Sequence, residues 1–234
     1  MTQTPRERAR LATMEEIVRI GRRHLALHGA AGLSLRAVAR DLGVVSSAVY
    51  RYVKNRDELL TLLVVDGYNA LGESVDAALK AVPDDDFYGQ FQALGRAVRE
   101  WGLAEPARYG LLFGSPVPGY QAPPEQTTAP GTRVIGQLVR IFQGAQQAGA
   151  LVAQSGPAGR PTDALAADFN AVRAELGLPL DDASLTRGVL VWAALFGVVN
   201  FEVFGQYGPA TFSDPAALFD AHLQLLAQMV GITP

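Results

Sequence analysis

The sequence predicts an all-α protein in which a small helix-turn-helix head precedes a larger helical body. Three observations carry this. Apolar residues recur at three- and four-residue spacing through nearly the whole chain, no run alternates with the period of two that strands require, and caps or Gly/Pro stops bracket each periodic segment. Nine or ten helices account for the pattern.

In chain order, Thr13 with Glu16 forms a capping-box pattern, and Met14, Ile17, Val18, Gly21 and Leu25 follow at helical spacing to a stop at Gly29. Ser34 caps a short second helix with Leu35, Val38, Ala39 and Leu42 on one face, ending at Gly43. A third short helix fits Ser46 to about Val53. Asn55 with Glu58 opens a long helix from Arg56 to about Ala81, stopped before Pro83; at 1.5 Å per residue it reaches roughly 37 Å. Phe87, Phe91, Leu94, Val98 and Trp101 share a face of the next helix, and a shorter one runs from Glu105 to Phe113. Five prolines and three glycines between 114 and 131 predict a loop. Helices resume over 132–149, 162–176, 184–206 and 215–230, the last with Pro215 in a first turn behind Asp214, while 150–161 and 205–214 read as connectors.

Charge divides the chain in the same place as the pattern does. Residues 1–56 hold 11 of the 20 Lys and Arg and 4 of the 23 Asp and Glu, a net of +7, whereas 57–234 carry a net of −10. Such asymmetry points either to a nucleic-acid-binding head on an acidic body or to a merely solvated basic face. Only Tyr50 and Tyr52 of the 19 aromatics precede residue 57, so the body has the large apolar side chains that fill a core or line a pocket. The expected domains are therefore 1–56 and 57–234. Zero cysteines exclude a disulfide scaffold, a thiolate zinc site and a cysteine nucleophile. The charge-free stretch Gly188 to Phe201 has fourteen residues, short of the roughly 18 to 20 a spanning helix needs, and reads as a buried helix. The charged N-terminus has no apolar h-region. A cytoplasmic protein without membrane contact is expected.

Within the head, Ala39 is small where two helices must approach, Gly43 lets the chain turn, and Leu42, Val45 and Val49 supply an apolar seam. The outward face then presents Ser46, Ser47, Tyr50, Arg51 and Lys54, donors suited to phosphates and base edges in a major groove. Arg56, at the start of the long helix, can join the unpaired helix N–H groups in holding a phosphate, and Arg36 sits in the first turn of the preceding helix.

The segment Leu33–Leu60, LSLRAVARDLGVVSSAVYRYVKNRDELL, resembles the DNA-binding signature of the TetR/AcrR family of one-component transcriptional regulators. The resemblance implies that Tyr50 packs on the DNA backbone or a thymine methyl, that Tyr52 touches a phosphate where many members have His, and that Arg56 replaces the usual Lys. Val45 stands where many relatives cap the recognition helix with Ser or Thr, so Ser46 is expected to take over the cap and shift the helix start by one residue. Further along, Tyr109–Tyr120 and Trp192–Tyr207 are similar to the subgroup with a Trp-His-Gly type of C-terminal domain. Trp192, Gly197, Glu202 and Gly205 fit that pattern, and Phe196 replaces the name-giving His. The family dimerises through its last two long helices, here about 184–206 and 215–230, which places Trp192, Ala193, Phe196, Gly197 and Gly205 at the interface.

Tyr68, Phe91, Trp101, Tyr109, Phe113 and Phe142 are the candidates to line an effector pocket, core packing being the competing reading of each. Asn200 adds a polar group to an otherwise apolar helix. Such a lining suits a largely apolar effector. His24 and His28 have the spacing of a two-ligand helical metal site, but no third ligand is evident, so no metal and no cofactor is expected. Asp84–Asp86 read as helix capping, His222 as a surface or interface residue, and Ser115 lacks the context of a hydrolase elbow. The expectation is a homodimeric, non-enzymatic repressor that leaves a palindromic duplex operator when a small molecule binds. The alternative is a small-molecule-binding helical enzyme or an adaptor, neither of which needs the basic head.

Overall fold

The computed structural model describes residues 4–153, 161–177 and 180–234, so the centre of the expected 150–161 connector lies outside the described residues. Those residues contain eleven α-helices, one short 3-10 turn and no strand. They are α1 Pro5–His28, α2 Leu35–Asp41, α3 Ser46–Val49, α4 Arg56–Leu79, α5 Phe87–Ala104, α6 Pro106–Phe113, α7 Pro124–Gly131, α8 Arg133–Gln147, α9 Asp163–Leu176, α10 Asp182–Val203 and α11 Pro215–Met229.

Two compact units result: residues up to Gly72 with Ala104–Thr132, and Glu73–Leu103 with Arg133–Pro234. The 1–56 segment lies wholly within the first unit, which also takes in the start of α4, with α6 and α7. Its core gathers Ile17 and Ile20 of α1, Val38 and Ala39 of α2, Val49 of α3, and Leu59, Leu60 and Leu63 of α4. In the second unit, α10 packs on α11 and α9. There Gly95 of α5 sits so close to α11 that an added Cβ would lie 2.4 Å from Leu223 Cδ2 and the Leu223 side chain would have to move.

Four elements depart from the expectation, among them α3, which ends at Val49 rather than near Val53. α1 begins at Pro5 rather than Thr13, because Thr4 and Glu7 form the capping box: Thr4 Oγ1 accepts from Glu7 N at 3.3 Å and Glu7 Oε2 accepts from Thr4 N at 2.8 Å. Thr13 is mid-helix and donates its hydroxyl to the Ala9 carbonyl at 2.9 Å. The expected 114–131 loop contains α7, since Pro124 occupies the first turn, where a missing N–H costs nothing. Finally, 188–201 is half-buried rather than buried: Leu195 and Val199 are inside, while Val189, Leu190 and Phe201 are about half exposed. The helix around it, α10, has 22 residues with a mean hydropathy of 1.5 over its most apolar window, long and apolar enough by length and composition to cross a membrane, as the core helices of soluble proteins also are.

Candidate functional site

Ser34 caps α2 by accepting from Ala37 N, and the turn to α3 passes through Gly43 at φ 74°, a left-handed conformation that favours glycine. Val45 is the N-cap of α3 in extended backbone (φ −68°, ψ 146°), and its carbonyl accepts from Ala48 N at 2.9 Å. The expected takeover by Ser46 does not occur, and α3 keeps its start without a side-chain cap. Nor does Val45 join the seam; it projects from the capping position, 71% exposed, while Val49 and Val53 are buried.

Arg36, Ser47, Tyr50, Arg51 and Lys54 are exposed, and Ser46 and Tyr52 are half-buried. Asn55 caps α4, its Oδ1 accepting from Glu58 N at 2.8 Å. Arg56, at the start of α4, donates from Nη2 to the Ala30 carbonyl at 2.9 Å, tying that start to the turn after α1.

Ion pairs brace this head. Arg22 of α1 and Arg108 of α6 both bind the Asp66 carboxylate of α4. Buried His24 places Nε2 2.8 Å from Asp41 Oδ2, and Arg23 Nη2 donates to the same oxygen at 2.7 Å. These bonds, His24's first, hold the Asp41 carboxyl below the usual range. Sequence spacing alone offered His24 no carboxylate; folding supplies one 17 residues away, and no group of three metal-ligating side chains exists among the described residues.

The candidate effector residues fall into two groups. Tyr68, Tyr109 and Phe113 form an aromatic cluster in the first unit, with ring centroids 6.1 Å apart for Tyr68 and Phe113 and 4.9 Å for Tyr109 and Phe113. Tyr109 is fully buried, and burial pushes its hydroxyl pKa well up. Phe91 and Phe142 instead line a cavity of about 140 Å3 in the second unit with Ile135, Val172, Leu185 and Trp192, and Ser184 supplies the lining's single hydroxyl. Trp101 is buried and Asn200 half-buried, and neither lines that cavity. Asn200 Oδ1 is buried without a hydrogen-bond partner among the described residues.

Trp192 thus faces the cavity, 4.4 Å from the buried Phe196 ring. Ala193 is exposed, and an added Cβ at Gly197 or Gly205 would meet nothing within 4 Å. Arg99, whose place on α5 carried no sequence signal, makes a two-armed pair with Glu202 of α10 at 2.7 and 2.5 Å, and Arg96 Nε donates to Asp220 of α11 at 2.8 Å.

The family model of bacterial regulatory proteins, tetR family, matches residues 17–63, and that of the tetracyclin repressor-like C-terminal domain matches 91–226. The chain belongs to the TetR family of transcriptional regulators. Its relatives include the HTH-type transcriptional regulators Rv1816 of Mycobacterium tuberculosis and Mb1846 of Mycobacterium bovis, each 46% identical over 226 residues, which is 97% of this chain and 95% of theirs. Among solved structures, SCO4313 superposes with a TM-score of 0.75 at 33% identity, covering 96% of this regulator and 100% of that chain. A tetR-family protein from Rhodococcus RHA1, at 18% identity and a TM-score of 0.59 over 94% of this chain and 97% of its own, shares the fold. This regulator's helix-turn-helix, α2 to α3, lies inside the N-terminal match, and its apolar cavity is lined largely from the C-terminal one.

Proposed function

We propose that this TetR-family regulator is a cytoplasmic, homodimeric repressor without catalytic activity, released from a palindromic duplex operator by a small, largely apolar molecule. The observation that carries the effector reading is the cavity beside Phe91, Phe142 and Trp192, whose lining offers a single hydroxyl, Ser184, against many aliphatic and aromatic groups. A charged ligand would be stripped of water there and meet no opposite charge in the lining.

The dimer reading rests on α10 and α11. Leu190, Ala193, Gly197, Phe201 and Phe204 recur at three- and four-residue spacing along α10 and are left partly or largely open by the single chain; Ala221 and Leu225 do the same on α11. An apolar stripe of that length is unfavourable in water and suits a second copy. Two heads then present two α3 helices to major grooves about 34 to 36 Å apart, or a multiple of that distance. Arg36, Ser46, Ser47, Tyr50, Arg51, Tyr52 and Lys54 are the proposed DNA contacts. Arg56 positions α4 through Ala30 as well as offering charge. Residues of α4 belong to both compact units, so a tilt of that helix is the proposed link from cavity to head; the effector needs a preference of about 1–3 kcal/mol for the released state.

Thermal-shift screening of a mixed compound set, followed by operator release with each hit, tests this. Apolar hits that release DNA support the reading, and stabilisation by highly charged metabolites alone would refute it. Loss of the response on Tyr68→Ala would instead shift the pocket to the Tyr68, Tyr109 and Phe113 cluster.

A further inference from the structure

Because α1 starts at Pro5, its first two turns enter the head, and with them residues that spacing alone had left outside. Arg6, Ala9, Arg10 and Thr13 lie at i, i+3, i+4 and i+7 on one face of α1. That face walls a cleft of about 500 Å3 whose other side is Arg51 and Tyr52, with Leu42 and Ala48 as an aliphatic floor. Three guanidiniums therefore edge one cleft. Four other arginines of the same unit are paired with carboxylates, Arg19 with Glu16, Arg22 and Arg108 with Asp66, Arg23 with Asp41. Arg6, Arg10 and Arg51 have no carboxylate partner among the described residues.

Like charges held at one cleft repel each other and add nothing to the stability of the fold. A polyanion with evenly spaced charges and an apolar sugar face between them reverses that cost. We propose that this cleft clasps the sugar–phosphate strand flanking the groove that α3 enters, so that the first two turns of α1 are a second DNA-contacting element. The proposal rests on the DNA-binding reading above. Arg51 is shared between the two elements. Backbone contacts carry no base identity, so Arg6 and Arg10 set affinity and salt dependence and leave sequence preference alone.

The test uses the full-length protein, fluorescence anisotropy, an operator recovered by in vitro selection and a mixed-sequence duplex of about 30 bp, titrated between about 50 and 200 mM salt. Arg6→Ala with Arg10→Ala removes four phosphate contacts per dimer, and the slope of log K against log salt becomes shallower by about 3.6 on both duplexes. The base preferences recovered by selection stay unchanged. Arg6→Lys with Arg10→Lys keeps most of the slope, and Arg8→Ala, on the same exposed turns but off the cleft, changes it far less than the double alanine variant. Circular dichroism confirms that each variant is folded, as expected for exposed positions in a first and second turn. A wild-type slope in the double alanine variant, an equal loss on Arg8→Ala, or altered base preference would each overturn the assignment. Failure of the wild type to bind either duplex would overturn the DNA-binding reading itself.

Discussion

The Asp66 carboxylate on α4 ties both α1 and α6, and its removal should separate a buried ion pair from an exposed one. Arg108 Nη2 donates to Asp66 Oδ2 at 2.7 Å and to the Asp66 carbonyl at 3.0 Å, while Arg22 Nε donates to Oδ2 at 2.7 Å. The Arg108 side chain is 8% exposed and that of Arg22 is 44% exposed. Breaking a buried pair by deleting one partner costs about 3–5 kcal/mol, because the other charge stays out of water. Arg108 keeps the Asp66 carbonyl, and Glu105 lies 3.8 Å away, so Asp66→Ala belongs at the lower end, about 3 kcal/mol. For a chain of this size that lowers Tm by about 6–12 °C. Arg22→Ala should cost less than about 1 kcal/mol, since the guanidinium it deletes is largely solvated and the Asp66 carboxylate keeps Arg108. Replacing Asp66 by Leu and Arg108 by Met together should recover most of the loss, as apolar isosteres of buried pairs do. Calorimetry and urea titration of the three variants beside the wild type read these differences. Equal costs for Asp66→Ala and Arg22→Ala, within about 0.5 kcal/mol, would refute the claim that burial of Arg108 decides the energetics.

Three more outcomes follow from the same geometry. Tyr50→Ala should cost about 1–3 kcal/mol at particular base positions and relax preference there, read by binding to single-base operator variants; a uniform loss across all variants would argue against base contact. Gly197→Arg places a long charged chain on the open stripe of α10 without disturbing its own protomer, because nothing lies within 4 Å of an added Cβ; sedimentation should report folded monomers, and an intact dimer would contradict the proposed interface. Burial raises the pKa of Tyr109, and also those of Tyr68 and Tyr120, above the ordinary tyrosine value of 10.0. Since the folded state favours the neutral ring, the contribution of these tyrosines to stability should be constant below about pH 10 and fall as pH rises beyond it. Tyrosinate absorbance of the native chain should lag behind that of the urea-unfolded chain, and coincident titration curves would disprove it.

What was legible in the sequence is what local chemistry determines. Ser34 and Asn55 cap the helices their positions suggest, Gly43 takes the left-handed turn, and the run from Leu33 to Leu60 holds the whole helix-turn-helix within 28 neighbouring residues. The same local logic misled where two equivalent patterns competed. Thr13 with Glu16 reads as a capping box just as Thr4 with Glu7 does, and only the continuation of the chain decides which threonine ends a helix and which lies inside one. That choice hid Arg6 and Arg10 from the head. The rest depended on partners far apart in sequence. Arg22 and Asp66 are 44 residues apart, Arg99 and Glu202 are 103, and Arg96 and Asp220 are 124. No periodicity marks such pairs, because each residue is unremarkable on its own helix and acquires its role from the helix packed against it. The cavity has the same origin. Phe91 and Phe142 recur as core residues would, and whether they fill space or border it depends on how α5, α8, α9 and α10 meet, a property of packed volumes that no single helix contains.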